Sequence, residues 1–148
     1  MGSISRNFSY SEFELSPTAK AHRIDNSIPS DVKPHVKELV TAVLQPLRNR
    51  VDKVITISSG YRCKEVNDLT PGSSSTSQHV KGEAADIKIA GMTSLEIAQK
   101  IFDMDLPYDQ LILYNSFVHV SHRYNSSYQR KMLLYNRSYV GSKVITRK

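Results

Sequence analysis

In the segment SQHVKGEAADIKI, residues 77 to 89, His79 and Asp86 stand seven positions apart around Gly82, Ala84 and Ala85. Imidazole and carboxylate both ligate borderline-to-hard cations, and both also serve as hydrogen-bonding groups where a polar loop enters a strand. A third ligand further along the chain would favour the metal. His119 in VHVSH is the candidate, because strand alternation places His119 and Ser121 on one face and Val118 and Val120 on the other. With the valines in a core, His119 faces a cleft and His122 points away to the surface. Three protein ligands plus an open position for water form a catalytic zinc site, where the ion lowers the pKa of its water and polarises a carbonyl. In such a site Gly82 lets the chain turn between the ligands, and Ala84 and Ala85 leave the space between them clear.

The composition narrows what surrounds the constellation. At 148 residues, 39% of them hydrophobic and 23% charged, the chain has the makings of one globular domain over residues 1–148. Cys63 is the only cysteine, so an intramolecular disulfide is excluded and a metal must rely on histidine and carboxylate. Cys63 itself reads as a small buried hydrophobe, not a nucleophile, since no base is implied beside it. No apolar run reaches membrane-spanning length and no secretory leader opens the chain, so synthesis in a cytoplasm without membrane insertion is expected. A net charge of +6 favours a polyanionic neighbour, either nucleic acid, an anionic membrane face or a bacterial wall. The basic residues are scattered until the tail and no nucleic-acid-binding signature appears, so no specific nucleic acid is expected.

The elements that must position these residues follow from periodicity. Residues 1–6 read as a loose end, and 7–30 as an N-terminal arm of short turns carrying Phe8, Tyr10, Phe13 and Leu15. From Ser30 or Asp31 as N-cap, Val32, Val36, Leu39, Val40, Val43, Leu44 and Leu47 predict the longest helix, which Pro46 should kink or fray in its last turn. KVITISS is a short buried strand broken by Gly60, and 67–78 is a long loop. DIKI is a strand, and Thr93 with Glu96 forms a capping box for a second helix. DQLILY and FVHVSH make a hairpin turning at Asn115 and Ser116, and YQRKMLLY adds a strand or a short helix within the basic segment 123–148. The fold class expected is α+β, with helices on one side of a small, mostly antiparallel sheet.

SGYRCKEVN, the Ser-rich stretch ending in SQHVKGEAADI, PYDQLI and FVHVS together resemble the zinc D-alanyl-D-alanine carboxypeptidases and the related L-alanyl-D-glutamate endopeptidases of bacterial wall turnover and phage lysis. The resemblance covers roughly residues 7 to 122 and is most specific in Ser77, His79, Gly82, Ala84 and Asp86. It implies zinc on His79, Asp86 and His119. It also implies that Arg62 of SGYR binds a substrate carboxylate or stabilises the tetrahedral oxyanion. Ser77, Gln78 and Gln110 are expected along the substrate cleft. These families commonly carry an acid three residues before the last histidine ligand, as general base on the zinc water, whereas this chain has Ser116 there. Asp109 is the nearest carboxylate and is the base expected here, against the alternative of a strand-edge acid bonding backbone amides. Glu83 reads as solvent-facing.

The resemblance thus implies a zinc peptidase acting on the peptide stems of peptidoglycan. It would be a monomer reaching the wall through a lysis pore or a virion. The alternative is a non-catalytic module of wall binding or virion structure that keeps zinc without its base.

Overall fold

The structure, a computed structural model, describes residues 2–143 and 145. The arm is more ordered than its Ser-rich composition implies. Ser3–Ser5 (β1) pairs antiparallel with Phe8–Ser9 (β2), and the Gly2 carbonyl accepts from Tyr10 N, so residues 3–5 are not a loose end. Two short helices follow, Tyr10–Glu14 (α1) and Pro17–His22 (α2), and Phe8 and Phe13 are buried in the main core.

The apolar stripe from Val32 does form one helical rod over residues 33–51, but not in the expected manner. Neither Ser30 nor Asp31 caps it. Val32 is the N-cap of Lys33–Leu39 (α3), without a side-chain bond. Nor does the last turn fray at Pro46: a π-helical turn at Val40–Leu44, in which Gln45 N donates to the Val40 carbonyl, leads directly into Gln45–Val51 (α4). The widened turn precedes the residue that lacks an N–H, so the missing donor falls where the hydrogen-bond register has already changed and the rod continues.

Ile55–Ser59 (β3) leads through Gly60 into a helix that composition did not reveal, Lys64–Leu69 (α5). After a long loop come Ala84–Ile89 (β4) and Ser94–Asp103 (α6), the latter with both bonds of the Thr93–Glu96 capping box in place. Gln110–Leu113 (β5) and Val118–Ser121 (β6) form the expected hairpin, with Tyr114 N donating to the Phe117 carbonyl. Met132–Tyr135 (β7) is a strand.

The sheet order is β3-β4-β6-β5-β7, antiparallel throughout except for the parallel pair β5 and β7. The chain is α+β with a mostly antiparallel sheet. Alternation assigns one face, with Ala85, Ile87, Leu111, Leu113, Val118 and Val120, to a single core shared with Val36, Leu39, Val43 and Leu47 of the rod and Ile97 and Ile101 of α6. Ala85 thus fills core, and only Ala84 of the two alanines lies on the His119 face. That opposite face carries Asp86, Ile112, His119 and Gln110, and it forms the cleft floor.

Candidate metal centre

β4 and β6 bring Asp86 and His119 together because they are directly opposed Cα partners, with Ile112 opposite His119 on the other side. A register shift between Ile57 and Ser59 sets Ser59 against Asp86 on the same face, the use of a β-bulge to re-aim a side chain. His79 arrives from the loop before β4. Its amide donates to Ser77 Oγ (3.2 Å), its carbonyl accepts from Arg62 N (3.2 Å), and its Nδ1 donates to the Gly60 carbonyl (2.7 Å). Loop and SGYR turn therefore fix each other. Gly60 is required by close approach, since a Cβ there would stand 2.7 Å from Phe13 Cδ2. Gly82 has φ +72°, and a Cβ would stand 2.6 Å from Val32 Cγ1, so the turn it makes between His79 and Asp86 is pressed against the helical rod.

The ligand atoms of His79, Asp86 and His119 lie within 4.8 Å of one another. His79 Nε2 is 3.3 Å and His119 Nδ1 3.0 Å from Asp86 Oδ1, and Arg62 Nη2 is 3.6 Å from Asp86 Oδ2. Because a carbonyl only accepts, His79 must carry its proton on Nδ1. Burial is the largest influence on His79 and holds its pKa below the usual value despite Asp86, which favours the neutral ring. A neutral ring with its Nδ1 protonated turns the Nε2 lone pair toward a carboxylate oxygen. Two acceptors at that separation repel unless a cation lies between them, and a tetrahedral or five-coordinate zinc accepts this donor set of two imidazoles and one carboxylate. Burial pushes the Asp86 carboxyl upward, but the His119 and His79 rings beside it, with His119 Nδ1 at hydrogen-bond distance, outweigh it and hold it below the usual carboxylate range.

Arg62 is held as firmly as the ligands. Its Nε donates to Ser59 Oγ (3.1 Å) and its Nη1 to Asn67 Oδ1 (3.3 Å), while Asp68 pairs instead with Lys64. Two buried asparagines that sequence patterning did not single out do this work. Asn67 Nδ2 donates to the Ser74 carbonyl, tying the Ser-rich loop to the Arg62 turn. Asn26 bonds the carbonyls of Glu14 and Tyr61 and the amide of Cys63, clamping the N-terminal arm to the same turn. A polar residue inside an otherwise ordinary turn sequence carries no periodic signal, so burial alone identifies it.

The cluster lies in a cleft of about 750 Å³, whose wall includes Ser77, Gln78, Gln110 and Tyr114. The Tyr114 phenol is pushed up by burial and by the Asp86 charge. Asp109 does not join the cluster. It lies three residues before Ile112, the partner of His119, and that odd offset turns it to the opposite face. Its fully buried carboxylate accepts from Arg130 N (2.8 Å), Nε (3.0 Å) and Nη2 (2.6 Å). The expectation of Asp109 as general base is thus not met; the strand-edge alternative is what the structure displays. Two further expectations change. Glu83 is buried, accepting from Gln78 Nε2 (3.3 Å) and Tyr124 N (3.0 Å). His122 is buried as well, bonded to Glu38 Oε2 (2.8 Å) and the Pro107 carbonyl (2.6 Å).

With this geometry in place, the comparison with protein families adds the class. A family model described as Peptidase M15 matches residues 6–121. The chain belongs to the Peptidase M15 family, and its resemblance to wall-active zinc peptidases falls within that family. A search of curated proteins returned no match. Among the described residues, no helix is long and apolar enough to cross a membrane.

Proposed function

We propose that the chain is a zinc-dependent peptidase that hydrolyses peptide bonds in the stems of bacterial peptidoglycan, with His79, Asp86 and His119 as the metal ligands. One observation carries this reading: three ligand-type atoms within 4.8 Å of one another sit in a cleft beside an immobilised guanidinium, in a member of a peptidase family. A bound zinc supplies Lewis-acid polarisation of the scissile carbonyl and a water of lowered pKa. The protein supplies the rest. The Gly60 carbonyl fixes the His79 tautomer, so Nε2 is presented to the ion. Ser59 and Asn67 leave Arg62 Nη2 directed to the cluster, where a planar fork suits a substrate carboxylate or the developing oxyanion. Ser77 orients His79 through its backbone, and Gln78 and Gln110 offer amide groups along the cleft.

D-alanyl-D-alanine carboxypeptidase and L-alanyl-D-glutamate endopeptidase are both compatible with this arrangement. The released fragment distinguishes them. We further propose that the protein acts as a monomer, delivered to the wall through a lysis pore or a virion.

A second reading has an observation of its own. Glu83 is the carboxylate lining the cleft outside the cluster among the described residues, and Gln78 and Tyr124 engage its two oxygens. Among the described residues, no carboxylate that lines the cleft outside the cluster is without hydrogen-bond partners. A module that holds zinc for binding to the wall, without hydrolysis, accounts for that. Incubating zinc-loaded protein with purified wall and analysing soluble fragments by mass separates the readings: hydrolysis releases stem fragments, whereas a binding module sediments with the wall and releases none.

A further inference from the structure

The family match ends at residue 121, yet the cleft does not: Arg123 and Arg130, beyond it, line the same wall as His79 and His119. Four cations line the cleft, Arg62, Lys81, Arg123 and Arg130, against two carboxylates, Glu83 and Asp86. Three of these six charges are already committed elsewhere. Arg130 is spent on Asp109, Asp86 belongs to the cluster, and Glu83 is engaged by Gln78 and Tyr124. Arg62 serves the metal end. That leaves Arg123, which among the described residues makes no ion pair although its charge acts on the Asp109 carboxyl, and the exposed Lys81 of the same cleft.

Arg123 is also preorganised. Gln129 accepts from its amide (2.7 Å) and donates to its carbonyl (3.0 Å), and the guanidinium lies 5.9 Å from the centre of the Tyr128 ring. The segment around it is braced from three sides: Glu38 accepts from Asn125 N, Glu83 from Tyr124 N and Asp109 from Arg130 N. A loop held this tightly, with one unpaired guanidinium turned to a cleft, is built to receive an anion without reorganising. His119 lies on the cleft floor in β6, and Arg123 stands two residues past the strand end. Arg123 follows His119 by four residues, so at about 3.3 Å per residue its backbone lies within about 13 Å of His119, no more than four residues of an extended peptide.

We propose that Arg123, assisted by Lys81, is a second carboxylate subsite that selects stem peptides bearing a free acid within about four residues of the bond at the metal. This rests on the peptidase reading for the identity of the ligand, and a binding measurement keeps the two separable. The probes are a stem pentapeptide whose second-position glutamate keeps its α-carboxylate, and the same peptide with that group amidated. Each carries non-hydrolysable isosteres in place of its peptide bonds and is titrated calorimetrically into the zinc-loaded full chain, so that no turnover occurs. The acid form should bind about five- to tenfold more tightly than the amide, with a preference that shrinks as salt rises from 50 to 300 mM. Arg123→Gln should abolish the preference while leaving amide binding unchanged and lowering the melting temperature by no more than a few degrees, and Arg123→Lys should restore part of the preference. Equal affinity for acid and amide in the parent, failure of either to bind, or a preference that survives Arg123→Gln would each overturn the subsite. If discrimination is present but wall digestion releases nothing, the subsite stands and the peptidase reading falls.

Discussion

Two imidazoles converge on one carboxylate oxygen, and the His79 tautomer fixed by Gly60 leaves a lone pair facing Asp86, so the site stores repulsion that a cation relieves. His119→Ala removes one of three ligands, and the expected result is loss of stoichiometric zinc with no detectable hydrolysis, checked by metal analysis of the pure variant. Zinc persisting at one equivalent in His79→Ala, His119→Ala would place the ion elsewhere. Arg62→Lys keeps a charge but loses the fork that spans Ser59, Asn67 and Asp86. We expect a fall in kcat/KM of about a hundredfold or more, with a melting temperature lowered by no more than a few degrees. A melting temperature that fell in proportion to activity would make Arg62 a structural tie between β3 and α5.

At the scale of elements, the brace between β5 and the segment after β6 makes the testable contribution. Burial raises the Asp109 carboxyl, but its bonds from Arg130 outweigh this and hold its pKa below the ordinary carboxylate value. A carboxylate with a depressed folded pKa stabilises the fold above its unfolded value near 4, and that contribution is lost as pH falls through the folded value. Asp109→Asn should therefore cost about 1–3 kcal/mol at neutral pH, and the gap in melting temperature from the parent should begin to narrow below about pH 4 and close only below the depressed folded value. The variant should retain zinc and lose less than about tenfold in rate, where a lost general base costs 10²- to 10⁴-fold. Sequence patterning reached the strand faces of β5 and β6 and the cap of α6 because alternation and capping are local. It could not place Asp109, because its orientation depends on which residue opposes His119 and on an arginine 21 positions on. It missed α5 for a related reason: six residues give too short a window for helical periodicity to show. The continuation of the rod through Pro46 was equally hidden, since a π turn leaves no mark in hydrophobic spacing.

For the whole molecule, the site is a junction: β4 and β6 supply Asp86 and His119, the loop before β4 supplies His79, and the N-terminal arm locks the Arg62 turn through Phe13 and Asn26. Metal binding to such a site stabilises the folded chain over the unfolded one. Zinc at about a hundredfold its Kd should add about 2.7 kcal/mol and raise the melting temperature measurably, and a chelator should reverse the gain. The motif Ser77, His79, Gly82, Ala84 and Asp86 could be read directly because its spacing is contained in ten residues. The cationic wall from Arg123 and Arg130 could not, because in sequence it is a scattered basic tail and only folding gathers it at the cleft. A zinc centre of His79, Asp86 and His119 that cleaves wall stems should reveal itself in mass analysis of the fragments that protein carrying one equivalent of zinc releases from purified peptidoglycan. The expected result is release of a single class of stem fragment, abolished in His119→Ala; protein with full zinc occupancy that binds the wall and releases nothing would contradict it.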